Sequence, residues 1–208
     1  MSAPFCSDHP PHHMSCYCYC ERPRVTGRVL VCGQGDMGQL GLWNDSCKFE
    51  RKRPTLVEKV LNVADVPAGG MHNLLLTLEG HVYSFGCNDE EALGHDSSEF
   101  VPDALDLPNK VLKISAGDSH STCLLEDGRV FAWGSFPDSY GNMGLMLEGN
   151  MRLPIDVLLG TICCNMASGA DCLVIFVADF EKEIFTPFNC LFYAPACSDP
   201  IYPRFSYV

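Results

Sequence analysis

Two stretches of the chain decide its fold: AGGMHNLLLTLEGHVYSFG, from Ala68 to Gly86, and AGDSHSTCLLEDGRVFAWG, from Ala116 to Gly134. They align without a gap at a spacing of 48 residues. Ala68-Gly69 falls on Ala116-Gly117, His72 on His120, and Gly80 on Gly128. Val82-Tyr83-Ser84-Phe85-Gly86 falls on Val130-Phe131-Ala132-Trp133-Gly134. In each copy a short apolar run meets an acidic residue followed by glycine (Glu79-Gly80, Asp127-Gly128). That pair is a hairpin signal, and the strand after it ends on a glycine.

Working outward, the pattern continues on both sides. Val29-Leu30-Val31-Cys32-Gly33, running on to Gln39-Leu40-Gly41, repeats the segment from Val82 to Ala92-Leu93-Gly94 at a spacing of 53. Ala167-Ser168-Gly169-Ala170-Asp171-Cys172-Leu173 begins a fourth copy. A period near 50 residues, with a hairpin in each unit, describes the blades of a β-propeller. The competing reading, a plain antiparallel sandwich, does not explain so many matches in register.

Composition narrows the field. The chain has 208 residues, of which 47% are hydrophobic and 19% charged, with a net charge of -12. Nucleic-acid backbones are held by clustered Lys and Arg, so this balance disfavours wrapping bare DNA. A basic protein surface suits it better. The 13 cysteines are odd in number and scattered, unlike a secreted disulfide framework. Neither a signal peptide nor an apolar run of membrane-spanning length is visible. These features are read as an intracellular chain with reduced thiols and no membrane partner.

Six segments, in order, carry a resemblance: GQGDMGQLGL (33–42), ERKRPTLV (50–57), AGGMHNLLL (68–76), VYSFGCNDEEALG (82–94), SAGDSH (115–120) and DGRVFAWGSFPDSYG (127–141). Together they closely resemble the regulator of chromosome condensation family. The resemblance implies an all-β fold: part of a seven-bladed propeller built from repeats of about 50 residues, with roughly three blades present. It implies guanine nucleotide exchange on the small GTPase Ran, at chromatin in the nucleus, serving nucleocytoplasmic transport and mitosis. Nucleosomes and their core histones come with it as partners, and no cofactor is required. The rival reading is a binding module that has lost exchange activity through truncation.

The chain departs from the family at both ends. Residues 1–27 are expected to be a disordered tail in which residues 1–21 contain no Lys or Arg before Arg22. The family's tail is basic, so contact with DNA should be weakened here, and nuclear import could be lost, leaving a cytoplasmic chain. Residues 28–178 are expected to hold the repeats. Residues 179–208 form a divergent tail without glycine.

Candidate site residues follow. Asp118 stands where the preceding repeat has Gly70, and a charge replacing glycine in a loop points to a site, although a turn-capping role is the plainer explanation. By resemblance, Asp36, Asp118 and Asp171 lie on the Ran-facing side. Phe136, Asp138, Ser139, Tyr140 and Gly141 would belong to a wedge that enters the GTPase. His72 and His120 are expected to tie adjacent blades by hydrogen bonds, and Gly86 and Gly134 to serve close backbone approach at the blade edge.

Three further motifs are weaker. Gly33-Gln34-Gly35-Asp36-Met37-Gly38 satisfies the dinucleotide-loop pattern, but turn formers follow it where a helix is required. Glu50-Arg51-Lys52-Arg53-Pro54 reads as a solvated basic loop. Cys16, Cys18 and Cys20, near His9, His12 and His13, have no structural-zinc spacing, and no metal site is expected.

Overall fold

A computed structural model describes residues 27–42, 50–136 and 150–177, and the backbone of 192–193. The described residues contain strands and turns and no helix, hence none long and apolar enough to cross a membrane. Thirteen strands form four antiparallel sheets. The first sheet pairs β1 (Leu30–Gln34) with β2 (Glu50–Leu56). The second is the four-stranded meander β3 (Val63–Asp65), β4 (His72–Thr77), β5 (Val82–Gly86) and β6 (Asp103–Ala104). The third repeats it with β7 (Val111–Ala116), β8 (His120–Leu125), β9 (Val130–Gly134) and β10 (Met151–Asp156). The fourth contains β11 (Cys163–Ser168), β12 (Leu173–Val177) and the two-residue β13 (Phe192–Tyr193).

Each hairpin foreseen in the sequence is therefore the middle of a larger blade. Gly80 bonds back to the Thr77 carbonyl at 3.1 Å, and Gly128 does the same to Leu125 at 3.1 Å. This is the short turn with a left-handed glycine that joins twisted strands. The carbonyl of each turn glycine then accepts from the next blade: Val111 N–H donates to Gly80 O at 3.0 Å, and Cys163 N–H to Gly128 O at 2.8 Å. The turn closes one sheet and anchors the innermost strand of its neighbour.

The repeat spacing aligns β1 with β5 and β9. The first sheet is thus the outer half of a blade, whereas β11 and β12 match the inner half, β7 and β8. Among the described residues there are two four-stranded blades, flanked by a two-stranded sheet before them and the sheet of β11, β12 and β13 after them.

The core lies between sheets. In β8, Cys123 and Leu125 face the second blade while Leu124 faces the fourth sheet. In β9, Phe131 and Trp133 face the second blade, and Val130 and Ala132 face the fourth sheet. Side chains alternate across a strand, and a strand covered on both faces is buried at every position, so these runs show no regular polar alternation, although β8 keeps His120, Ser121 and Thr122 among its buried residues. All residues of β8 and β9 are buried. Each large apolar side chain so enclosed contributes roughly 1.5–3 kcal/mol.

The basic run departs from expectation. Glu50 to Pro54 is part of β2, an edge strand, and not a loop. Proline lacks the N–H that a central strand would need, and exposed charges discourage pairing with another edge. The run suits an edge for both reasons.

Candidate functional site: the loop end of the blades

The site is built on one turn used three times. Gly69 N–H bonds the His72 carbonyl at 2.8 Å, Gly117 that of His120 at 2.9 Å, and Gly169 that of Cys172 at 2.8 Å. These turns enter the second strand of each blade and touch one another. Gly70 N–H donates to the Asp118 carbonyl at 3.3 Å, and Asp118 N–H donates to the Ala170 carbonyl at 2.9 Å. A side chain at position 70 would put its Cβ 2.9 Å from the Asp118 oxygen. Asp118 and Asp171 are consequently held on adjacent turns, and both side chains are exposed.

Gly86 and Gly134 lie at the same end, opposite His72 and His120 in the sheet register. Their φ angles are 119° and 93°, a region that side chains rarely adopt. A Cβ would stand 2.5 Å from the Met71 carbonyl at Gly86 and 2.5 Å from that of Ser119 at Gly134. A side chain at either glycine would collide with the facing strand's backbone. Asp36 belongs to this end too. Its loop follows β1, and Gly38 within that loop packs on Glu99, whose carbonyl accepts from Gly86 N–H at 2.9 Å. Asp36 is exposed. The glycine pattern around it forms successive turns, Gly38 N–H to Gly35 O at 3.1 Å and Gly41 N–H to Gly38 O at 2.9 Å. No helix follows within the described loop, so the dinucleotide reading lacks its structural context.

The histidines behave differently from each other. Ser121 donates its hydroxyl to the Ala92 carbonyl at 2.8 Å and so accepts from His72 Nε2–H at 2.9 Å. That chain ties the second blade to the third. Burial holds the His72 imidazole at a pKa of about 4, against a bonded His120 backbone group and the Asp118 charge, both of which favour the proton. His120 is also lowered to about 4, by burial and then by the neighbouring His72 charge. The expectation of a blade-tying bond fails for His120. Both of its ring nitrogens lack a partner among the described residues. The physical reason lies in the repeat: the position of Ser121 is Leu173 in the fourth sheet, which has no hydroxyl. His120 instead stacks on Phe136, ring centroids 4.0 Å apart.

Phe136 corrects a second expectation. It is 6% exposed and packed in the core, so it roots the following loop and offers little contact surface. Asp138, Ser139, Tyr140 and Gly141 lie outside the described residues, as do Cys16, Cys18 and Cys20. Among the described residues no group of three or more His, Cys, Asp or Glu could hold a metal ion.

Sequence reasoning missed the clamp beside the histidines. Asn73 donates to the Gln39 carbonyl at 2.8 Å just as Ser121 donates to that of Ala92. Trp133 Nε1–H adds a bond to Ala92 O at 2.8 Å. The matching Gln39-Leu40-Gly41 and Ala92-Leu93-Gly94 segments were the available signal: each repeat delivers a carbonyl to the next blade.

Comparison with known proteins agrees with this geometry. Two models described as the Regulator of chromosome condensation (RCC1) repeat match the chain, one at residues 26–76 and 79–124, the other at 111–142. The Regulator of chromosome condensation of Drosophila melanogaster is 63% identical over 170 residues, covering 80% of this chain and 30% of that protein. The human protein of the same name is 49% identical over 159 residues, covering 74% and 37%. The chain therefore spans about a third of the length of these relatives. Among solved structures, Prp20p of Saccharomyces cerevisiae, studied together with its binding to Gsp1p and histones, superposes with a TM-score of 0.65 at 30% identity, covering 74% of this chain and 40% of that one. Repeat, blade and relatives converge: the chain belongs to the regulator of chromosome condensation repeat family and is an amino-terminal portion of its β-propeller.

Proposed function

We propose that this chain carries the GTPase-facing surface of a guanine nucleotide exchange factor for Ran, acting at chromatin in nuclear transport and mitosis. The observation that carries the reading is the set of exposed carboxylates Asp36, Asp118 and Asp171 at one end of the blades, with the last two on turns bonded to each other. Exchange requires no bond chemistry. The factor binds nucleotide-free GTPase more strongly than the loaded form, and the difference accelerates release, which is differential binding applied to dissociation.

Carboxylates held at this face compete with phosphate for the GTPase's basic groups. In this reading the wedge is formed by residues 138–141, which follow β9 in the sequence. Phe136 anchors its root in the core. The binding of Prp20p to Gsp1p and histones supports both partner classes, and a net charge of -12 suits the basic histone surface. Nuclear localisation follows from the chromatin partner.

The test is release of fluorescent GDP from Ran at increasing concentration of the folded chain. Saturable acceleration supports exchange, and release at the buffer rate contradicts it. A second reading is a module that binds Ran without exchange. It predicts saturable binding to nucleotide-free Ran with release unchanged.

A further inference from the structure

The loop that joins β5 to β6 gathers cations from both sides. Asp96 accepts from Arg152 Nε, on β10 of the next blade. Asp103 accepts at 3.4 Å from Nζ of Lys59, which lies between β2 and β3. Ser97 stands between the two pairs. Its Oγ meets His95 Nδ1 at 2.8 Å. Its hydroxyl is also the leading cause that holds the Asp103 carboxyl below the ordinary carboxylate range, ahead of the Ala104 backbone and Lys59. Asp96, Ser97 and Ser98 are exposed. Among the described residues Arg152 directs Nε at Asp96 and Lys59 directs one Nζ donor at Asp103. Both groups carry further donors, so each can take additional oxygens.

The sequence around Ser97 narrows what could act on it. No Lys or Arg occurs between Lys59 and Lys110, and Ser98, not proline, follows Ser97. Carboxylates stand directly before it, at Asp96, and two residues after it, at Glu99. A kinase that reads basic residues or a following proline finds neither, whereas one with a basic cleft finds a complementary charge. We propose that Ser97 is a phosphorylation site for a serine kinase that selects acidic sequences, and that Arg152, Lys59 and His95 hold the resulting phosphate. In the transfer Ser97 Oγ bonds to the γ-phosphorus of a nucleoside triphosphate. The bond from that phosphorus to the β–γ bridging oxygen breaks, the nucleoside diphosphate leaves, and the hydroxyl proton passes to the kinase's base.

A phosphoserine brings up to about two negative charges and three acceptor oxygens, more than the single carboxylate that Arg152 or Lys59 now meets. Asp96, Glu99 and Asp103 oppose it, so retention requires both cations to turn from carboxylate to phosphate. Charge-assisted bonds of this kind are the stronger ones. The modified loop would then tie the second blade to β10 on one side and to the segment before β3 on the other. Ser98 lacks this setting: its Oγ accepts from Phe100 N–H at 3.3 Å within its own turn. The inference is independent of the exchange reading, because it concerns how the loop takes up and holds charge and not what GTPase the blades bind.

The test incubates the full chain with a purified acidophilic serine kinase and magnesium ATP, and locates phosphate by peptide mass spectrometry. Phosphate should appear on Ser97, be lost there in Ser97→Ala, and persist in Ser98→Ala. No transfer to Ser97, or transfer confined to Ser98, overturns the site. Retention is read by phosphorus NMR as the phosphorylated chain is titrated. A nearby cation favours the dianion, so the phosphate pKa should fall from about 6 to about 5. It should return toward about 6 when Lys59→Ala and Arg152→Ala are combined. A value at or above that of free phosphoserine in the parent, or one unmoved by the double substitution, overturns the assignment of the two cations.

Discussion

The junction between the second and third blades and the junction between the third blade and the fourth sheet use the same backbone turns but different chemistry. At the first, His72, Ser121, Trp133 and the Ala92 carbonyl form a fully partnered buried cluster. At the second, the His120 ring is equally enclosed and its nitrogens have no hydrogen-bond partner among the described residues, because Leu173 stands where Ser121 would be. That junction is held by packing among Leu124, Val130, Phe136, Met166 and Leu173, by the backbone bonds from Asp118 N–H to Ala170 O and from Cys163 N–H to Gly128 O, and by polar contacts away from the ring, Thr122 Oγ1 with Ser168 Oγ and Ser168 N–H to Ser115 Oγ. The difference shows that one repeat position can serve a hydrogen-bonded cluster at one junction and ring packing at the next.

The largest separation between the junctions should come from Trp133→Ala. It removes a fully buried ring and its bond to Ala92, and should cost about 3–5 kcal/mol. Denaturant unfolding would measure this, and a loss below about 1 kcal/mol would break the picture of a firm central junction.

Acid should come next. Both histidines are neutral when folded, with pKa values near 4, while an unfolded imidazole takes up its proton near pH 6.5. Between those values the unfolded state binds more protons, so stability should fall as pH drops from about 6.5 to about 4, by roughly 3 kcal/mol or less for each histidine. Unfolding midpoints across that range would show it, and a flat profile would contradict the burial of both rings.

A smaller effect is expected for His72→Leu, which takes a donor from Ser121 and should cost about 1–2 kcal/mol. The smallest belongs to His120→Leu. It exchanges an unpartnered buried imidazole for an apolar side chain, and stability should stay within about 1 kcal/mol of the parent or rise. Equal losses for the two leucine variants would erase the distinction between the junctions.

Much of this architecture was legible in the sequence. The hairpins, the blade glycines and the equivalence of His72 with His120 are set by short-range turn chemistry and by a repeat that preserves it. The inner and outer strands were not legible. β3 and β6 are only three and two residues long, and Val63-Ala64-Asp65 or Asp103-Ala104 has no strand pattern apart from its neighbours. The basic run from Glu50 misled in the same way, because an edge strand tolerates charges and a proline that a central strand would not. At the candidate site, Asp118 stands out against Gly70 of the preceding repeat, whereas Asp36 and Asp171 were singled out by family resemblance. The burial of Phe136 could not, since nothing in its local sequence announces the His120 ring beneath it.

The most direct test of the account compares two exposed carboxylates at opposite ends of the same blades. Asp118 is on the turn before β8, whereas Asp106 lies near the start of β7, at the far end. Release of GDP from Ran should be measured with Asp118→Ala and Asp106→Ala side by side. The account predicts a loss of roughly tenfold or more for Asp118→Ala, as for a charge-assisted contact worth about 1.5–3 kcal/mol, and a rate unchanged for Asp106→Ala. Equal rates for the two variants would contradict the assignment of the exchange surface to this end of the propeller.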